Sequence, residues 1–506
     1  MALPKIAFFF GAGAEVPLGM PSGGQFALDI FRRDFKEAKK IFARQRDRLI
    51  DSEYNDWLPD NFRNSNIYEF GKLERSKIFE ETLSVNRTAI ANMLGDFDKH
   101  ASEVLIQLNG SKSDLEKHFH KLVGTPFGQN RYGKQIQYKQ QLGSTALFDS
   151  AFFCAAIDMC RLNQPDDGLI QLVRSAIKLL SGALGQDLVS ALNQTLFENH
   201  TTQPDVFNVG ELFRIDSREA GEAAFVAVLD DHPRKLSNNY DAVDAFKTLL
   251  HGVLERVIQL NLSYEALMDE YYPYLFKPHE WAKFSRISVF LHGVHAYVKE
   301  AQTNATTVSP AAQSYYNDLA AASSGHRLAV SGVATSNYTN FASSALTDLN
   351  VHYLNGNLND FLDPYRNNIV HADNVDNSNR FLVPLLFTQS GTKPMTSINM
   401  AQRYVDYYNT LCRSDWIVVV GFGFNGDDGH INGLIRHAVD VDMKHLIVLS
   451  YEDQMAEDLL AEHYRKKIRI ERSGAIWVLP VDNKRLCSTR PWIDAVLSVI
   501  MQHPVQ

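Results

Sequence analysis

Cysteine is scarce in this chain, with four residues in 506, and no two of Cys154, Cys160, Cys412 and Cys487 stand at the two-residue spacing of zinc-binding loops. That pattern argues against a disulfide framework and a cysteine zinc site, and reduced, buried thiols in a cytoplasmic protein are expected. Basic charge is in deficit. Lys plus Arg number 50 against 59 Asp plus Glu, a formal net charge of −9, so a broad grip on nucleic-acid phosphates is not expected. No apolar run reaches bilayer length. Met1 to Lys5 lacks a charged segment followed by an apolar stretch and a cleavage site, so neither membrane insertion nor export is expected. The Walker phosphate loop, the His-Glu-x-x-His zinc pair and the Gly-x-Ser-x-Gly elbow are missing too.

What is present describes a packed globular chain, 45% hydrophobic and 22% charged. Its length calls for two or three domains, or one domain with a large insertion. From about residue 31 to about 320 apolar residues recur at helical spacing. Leu169, Leu172, Val173, Ala176, Leu180 and Ala183 form one stripe, and Val243, Phe246, Leu250, Val253, Val257 and Leu260 another. Polar loops such as Asn109 to Asp114 and Thr201 to Pro204 separate the helices. The basic run from Phe31 to Arg48 also carries Asp34, Glu37 and Asp47, and reads as a solvated helix face.

The remainder has a different rhythm. Ile6–Phe10, Leu328–Val333, Val351–Leu354, Phe381–Phe387, Trp416–Val420, Leu446–Leu449 and Ile476–Leu479 are short apolar runs, some with helical stretches such as 401–412 and 431–439 between them. Such runs suit a parallel sheet covered on both faces. The expected fold is α/β: a Rossmann-like parallel sheet built from residues 1–30 and 321–506, interrupted by a mainly helical insertion over 31–320. Ligands of such sheets bind beyond the carboxyl ends of the strands. Four strand ends are polar or glycine-rich there: Gly11-Ala12-Gly13-Ala14, Thr335-Ser336-Asn337-Tyr338, Leu354-Asn355-Gly356, and Gly421-Phe422-Gly423 followed by Asp427, Asp428, His430 and Asn432. Glycines let a backbone approach a pyrophosphate, and a helix starting there would offer unpaired amides. A Gly-x-Gly alone more often reads as a strand turning into a loop. Position 16, which the dinucleotide fingerprint of dehydrogenases fills with glycine, is Val16.

The ordered set of Gly-Ala-Gly-Ala with a downstream Gly-x-Pro, Ser-Asn-Tyr, Leu-Asn-Gly and Gly-Phe-Gly-Phe with Asp-x-His-Ile-Asn resembles the sirtuin-like domain of bacterial antiphage defence proteins. The resemblance covers roughly the first 30 and last 180 residues. It implies an NAD site in which Gly11, Ala12, Gly13 and Ala14 cradle the phosphates, and Pro21 and Ser22 cover the nicotinamide ribose. Asn337 would contact that ribose and the attacking water. Gly421, Phe422 and Gly423, with Asp428 and His430 after them, would border the adenosine half. The zinc-binding cysteines of protein-deacylating sirtuins are missing, so no zinc is expected.

Three positions depart from the family. Asn355 stands where a histidine is usual, Thr339 where an aspartate is usual, and Glu15 where a serine is usual. An asparagine cannot accept a proton at neutral pH. His352, His371 and His430 are the nearest histidines in sequence to the presumed crevice. The resemblance implies a gated NAD hydrolase of antiviral defence by abortive infection, with Asn337 and Asn355 as its catalytic residues. It also implies a homo-oligomer or a defence-system partner protein. The alternative is a module that binds NAD or an ADP-ribose-type nucleotide and regulates assembly without cleaving it.

Overall fold

The structure of the protein, a computed structural model, describes residues 3–50, 54, 56–133, 143–162, 164–184, 217–229, 236, 241–262, 264–308, 313–374, 379–386, 397–451 and 457–503. The loop expected at Thr201 to Pro204 and Phe387 lie outside them. The chain divides into two compact units, one formed by 1–23, 34–69 and 265–506, the other by 24–33 and 70–264.

In chain order the strands of the first unit are β1 (Lys5–Phe10), β2 (Ala329–Thr335), β3 (Val351–Tyr353), β4 (Asp360–Asp363), β5 (Asn368–His371), β6 (Val383–Pro384), β7 (Trp416–Val420), β8 (His445–Ser450), β9 (Ile476–Pro480), β10 (Leu486–Cys487) and β11 (Arg490–Pro491). Six of them form one sheet in the order β3-β2-β1-β7-β8-β9, parallel throughout. The protein is therefore α/β with a Rossmann-like core. β1 is buried almost from end to end because both of its faces are covered. Ile6, Phe8 and Phe10 face a layer that includes Tyr315, Tyr316 and Leu319 of helix Tyr315–Ser324 and Trp492 and Val496 of helix Trp492–Gln502. Ala7 and Phe9 face Tyr407 and Leu411 of Ile398–Cys412, Ile431 and Ile435 of Gly429–Asp440, and Leu460 of Glu457–Ile468. The alternation by twos along one strand is what divides the core into two layers.

The run at 381–387 departs from expectation. Only Val383–Pro384 is extended, and it pairs antiparallel with β4 in a separate sheet ordered β5-β4-β6. Pro384 has no amide to give to a central ladder. Phe381 is apolar for another reason: its ring stacks on Phe42 at 5.0 Å and meets Phe284 and Trp281 edge-on at 5.4 and 6.2 Å. Phe42 belongs to the basic helix Lys36–Arg48, whose outer face pairs Lys40 with Glu37 and Arg46 with Asp47, so a solvated face describes it.

Among the described residues of the second unit the regular elements are all helices, joined by turns and loops. Every member of the first expected stripe is buried on helix Asp167–Leu184. In the second, Phe246, Leu250, Val253 and Val257 are buried on Ala242–Asn261, but Leu260 is 66% exposed. Four residues after Val257 the helix returns to the same face, so Asn261 takes the inward position and bonds the Val257 carbonyl at 2.7 Å. Asp98 fixes the start of helix Ala151–Cys160 by accepting from the Ala151 and Phe152 amides at 2.9 and 3.0 Å and the Ser150 hydroxyl at 2.6 Å. Asp98→Ala is expected to lower the thermal denaturation midpoint, with a loss of about 1 to 2 kcal/mol. Of the four cysteines, all free, Cys154, Cys160 and Cys487 are buried and Cys412 is half-buried. Among the described residues no helix is long and apolar enough to cross a membrane.

Candidate functional site

The strand register makes four strands end level. Phe10 pairs with both Thr335 and Val420, and Thr335 pairs with Tyr353. Gly11, Ser336, Leu354 and Gly421 are thus the first residues beyond one carboxyl edge. β1 continues in sequence to β2 on one side and has β7 on the other, so the strand order reverses between β1 and β7. A crevice at such a reversal is where open α/β sheets bind ligands.

The two glycine turns at the reversal fit against each other. Gly11 donates to the Val420 carbonyl at 2.9 Å and Gly13 to the Gly421 carbonyl at 2.8 Å. A side chain at Gly421, whose φ is +64°, would start 2.2 Å from the Ala14 nitrogen, and one at Gly11 2.6 Å from Gly421 and Phe422. Ala14 is buried in the core layer of Phe10, and Phe422 sits edge-on to Phe9 at 4.9 Å. The turn after β1 does not open a long helix. It runs through the short 3-10 turns Ala12–Ala14 and Val16–Leu18, and the α-helix begins at Gly23. The Ala14 and Glu15 amides are used within that turn, at 3.0 Å each to Gly11 and Ala12. The amide of exposed Ala12 has no partner among the described residues. Pro21, half-buried, and Ser22, exposed, lie on the segment leading to Gly23.

Asn337, 6% exposed, is held by the edge itself. Its amide nitrogen in the backbone donates to Thr335 Oγ1 at 3.0 Å, and that hydroxyl donates to the Phe10 carbonyl at 2.9 Å. Its side-chain Nδ2 donates to the Gly11 carbonyl at 3.0 Å and to the Tyr316 hydroxyl at 3.1 Å. A carbonyl can only accept, so the amide group must face Gly11 with its nitrogen, and Oδ1 is the atom left for a ligand.

Glu15 is the residue that sequence reasoning valued least and the fold uses most. It turns inward, 3% exposed, and Oε1 accepts from Tyr316 at 2.8 Å and Thr339 at 2.7 Å. Burial pushes its carboxyl from the ordinary 4.5 up to about 7, against the opposing effect of the hydrogen bonds from Thr339 and Tyr316 and of the nearby Asn337 amide. The signal that could have flagged it is plain: between Lys5 and Asp29 it is the lone charged side chain. Its linkage to folding has a definite sign. The folded state holds the proton more tightly than the unfolded one, so the stability tied to this group is complete below pH 4.5 and declines as pH climbs to about 7. Glu15→Gln is expected to flatten that decline, a gain on the order of 2 to 3 kcal/mol at pH 8 in chemical denaturation.

Asn355 is 4% exposed, and its Oδ1 is buried without a hydrogen-bond partner. The Asn355-Gly356 turn is anchored around it. Leu354 donates to the Thr335 carbonyl at 2.9 Å, Leu358 to the Tyr338 carbonyl at 2.9 Å, and Gly356 has φ +82° with the Leu385 carbonyl where a side chain would be. Tyr404 donates to the Leu354 carbonyl at 2.7 Å, and the His430 ring stands edge-on to Tyr404 at 5.6 Å. Asp428 acts on the same phenol, which burial already holds far above its ordinary range. Through Tyr404 the structure therefore brings His430 and Asp428 to the Asn355 turn.

Arg403 bonds Asp360 at 2.6 Å and the Tyr353 carbonyl at 3.4 Å. Asp360 is buried, so Arg403→Met would leave it unpaired, with an expected loss of about 2 kcal/mol in urea denaturation. His371 ends β5 in the antiparallel sheet and is exposed, away from the parallel edge where the sequence suggested it. His352 lies within β3, and burial lowers its pKa. A histidine that sequence reasoning missed, His295 of helix Trp281–Val308, has Nε2 2.9 Å from the Leu358 carbonyl and is held below its ordinary pKa, first by burial.

Comparison with family models, with curated proteins and with solved structures finds no match for this chain. The functional reading therefore rests on the site's own chemistry.

Proposed function

We propose that this protein is a sirtuin-like NAD hydrolase of antiphage defence, cleaving NAD to nicotinamide and ADP-ribose, with residues 31–320 as an insertion serving oligomerisation or sensing. The observation that carries the reading is Asn337 just beyond β2, with both side-chain amide hydrogens committed and Oδ1 left as an acceptor beside the Gly11 turn, which itself borders the strand-order reversal. Ribose hydroxyls and water are donors that such an oxygen orients.

In this reaction the bond between the ribose anomeric carbon and the pyridinium nitrogen breaks. Its electron pair goes to the ring, nicotinamide leaves neutral, water adds to the carbon and one proton is released. Charge builds on the sugar as an oxocarbenium ion, so holding the ribose and placing one water supply much of the rate. Asn337 Oδ1 orients the ribose hydroxyl or the water, Asn355 Oδ1 offers a second buried acceptor, and the Ala12 amide is a donor for a phosphate oxygen. A general base adds about a hundredfold to ten-thousandfold where one is present. Two asparagines sustain a slower enzyme.

The second reading, a regulatory module that holds NAD or an ADP-ribose-type nucleotide intact, is favoured by the internal use of the Gly13, Ala14 and Glu15 amides and by Asn355 in place of a proton acceptor. Incubation of the purified protein with NAD, alone and under candidate activating conditions, separates the two. Nicotinamide release supports the hydrolase, and saturable NAD binding without release supports the module. Removal of acyl groups from lysine peptides only in the presence of NAD would replace both with a deacylase.

A further inference from the structure

Glu15, Tyr316, Thr339 and Asn337 form a hydrogen-bonded cluster drawn from the first glycine turn, the helix Tyr315–Ser324 and the segment after β2. The reading of the site as an NAD pocket gives no role to the first three. We propose that Glu15 is a positioning residue for Asn337: by taking the Tyr316 hydrogen it makes the phenol oxygen a fixed acceptor for the asparagine amide, which together with the Gly11 carbonyl keeps Oδ1 as the ligand-facing acceptor. This rests on the NAD-site reading.

The chain of bonds is directional. Tyr316 has one hydroxyl hydrogen, and Glu15 Oε1 takes it at 2.8 Å. The phenol oxygen is then restricted to accepting, and it accepts from Asn337 Nδ2 at 3.1 Å. A serine or alanine at 15 would free the phenol to donate elsewhere, and the asparagine amide, still held by the Gly11 carbonyl, would lose the second of its two fixed acceptors. Thr339 closes the cluster by donating to the same Oε1 at 2.7 Å. Positions 15 and 339 thus face each other across one hydrogen bond, with a carboxylate at 15 and a hydroxyl at 339, the reverse of the serine and aspartate that the resemblance leads one to expect there. A carboxylate is present in this cluster after all, reached from the other side.

The titratable groups facing Glu15 are the phenols of Tyr316 and Tyr353, both held above their ordinary range first by burial, and no cation pairs with it among the described residues. Ionisation of Glu15 strengthens its hold on the two hydroxyls, so the grip on Asn337 tightens as pH rises through about 7.

The test uses the full chain and NAD itself. NAD affinity and nicotinamide release of the unmodified protein are expected to rise between pH 6 and pH 8, and Glu15→Gln is expected to abolish that limb. Tyr316→Phe should weaken NAD binding roughly five- to tenfold. Glu15→Ser should lose activity, and adding Thr339→Asp to it should recover a large part, a rescue that a merely structural role would not give. An unchanged pH limb in a folded Glu15→Gln protein overturns the proposal. If the unmodified protein neither binds nor cleaves NAD, the functional reading fails, and nitrogen-15 spectra of asparagine-labelled protein decide the positioning role separately. The Asn337 side-chain signal, assigned by Asn337→Ala, should shift with a midpoint near pH 7 and stop shifting in Glu15→Gln. A signal indifferent to Glu15 overturns the proposal.

Discussion

Gly421→Ala is expected to destabilise the sheet-bearing unit by roughly 4 kcal/mol or more, combining a left-handed backbone that disfavours side chains with a collision that no rotamer relieves. The added methyl would start 2.2 Å from the Ala14 nitrogen and 2.5 Å from the Gly13 carbonyl carbon, both backbone atoms. The neighbouring turn must move, and with it the Gly13 bond to the Gly421 carbonyl. Chemical denaturation monitored by circular dichroism reads the loss. Gly426→Ala is the matched control, because a side chain there meets nothing within 4 Å. It should change stability by less than about 1 kcal/mol. Equal stability of the two variants would mean that the turns do not interlock.

Asn337→Ala is expected to reduce nicotinamide release by roughly two to three orders of magnitude, the scale of effect when a group that positions the reacting centre is lost. The fold should survive, because the hydrogen bonds lost leave the Gly11 carbonyl and the Tyr316 hydroxyl oxygen, both acceptors, to be met by water, at a loss of about 1 to 2 kcal/mol. Asn337→Asp sharpens the experiment. It preserves shape, but an ionised aspartate cannot donate to the Gly11 carbonyl and places a second carboxyl beside Glu15, so release should fall as far while its pH dependence moves upward. Release that survives Asn337→Ala at its original rate would remove Asn337 from the chemistry.

How much was legible in the sequence followed from how each element is buried. The six parallel strands were visible because most of their residues face core on both sides, so Phe8-Phe9-Phe10 and Ile417-Val418-Val419 read as unbroken apolar runs. β4 was invisible for the opposite reason. It begins and ends on Asp360 and Asp363, buried carboxylates balanced by Arg403 and Arg380 from later in the chain. Phe381 was misassigned because an apolar run records burial without recording what buries it, and here the cover is aromatic side chains on helices. The level ends of β1, β2, β3 and β7 were foreseeable from the polar residues that close each run. The Glu15 cluster was not, since a carboxylate becomes intelligible only when Tyr316 and Thr339 stand beside it, and no local pattern announces them.

The mutual fit of Gly11–Gly13 with Gly421 also governs when this protein exists as a working object. Its two halves follow the first and the fourth of the six sheet strands to emerge during synthesis, so β1, apolar from Ile6 to Phe10, waits without its β7 neighbour until most of the chain has been made. Contacts between such distant segments form late and leave sticky intermediates behind them. A nascent or prematurely terminated chain therefore carries an unfinished crevice. For a protein proposed to cleave NAD, a copy cut short before β7 would lack the second glycine turn of that site.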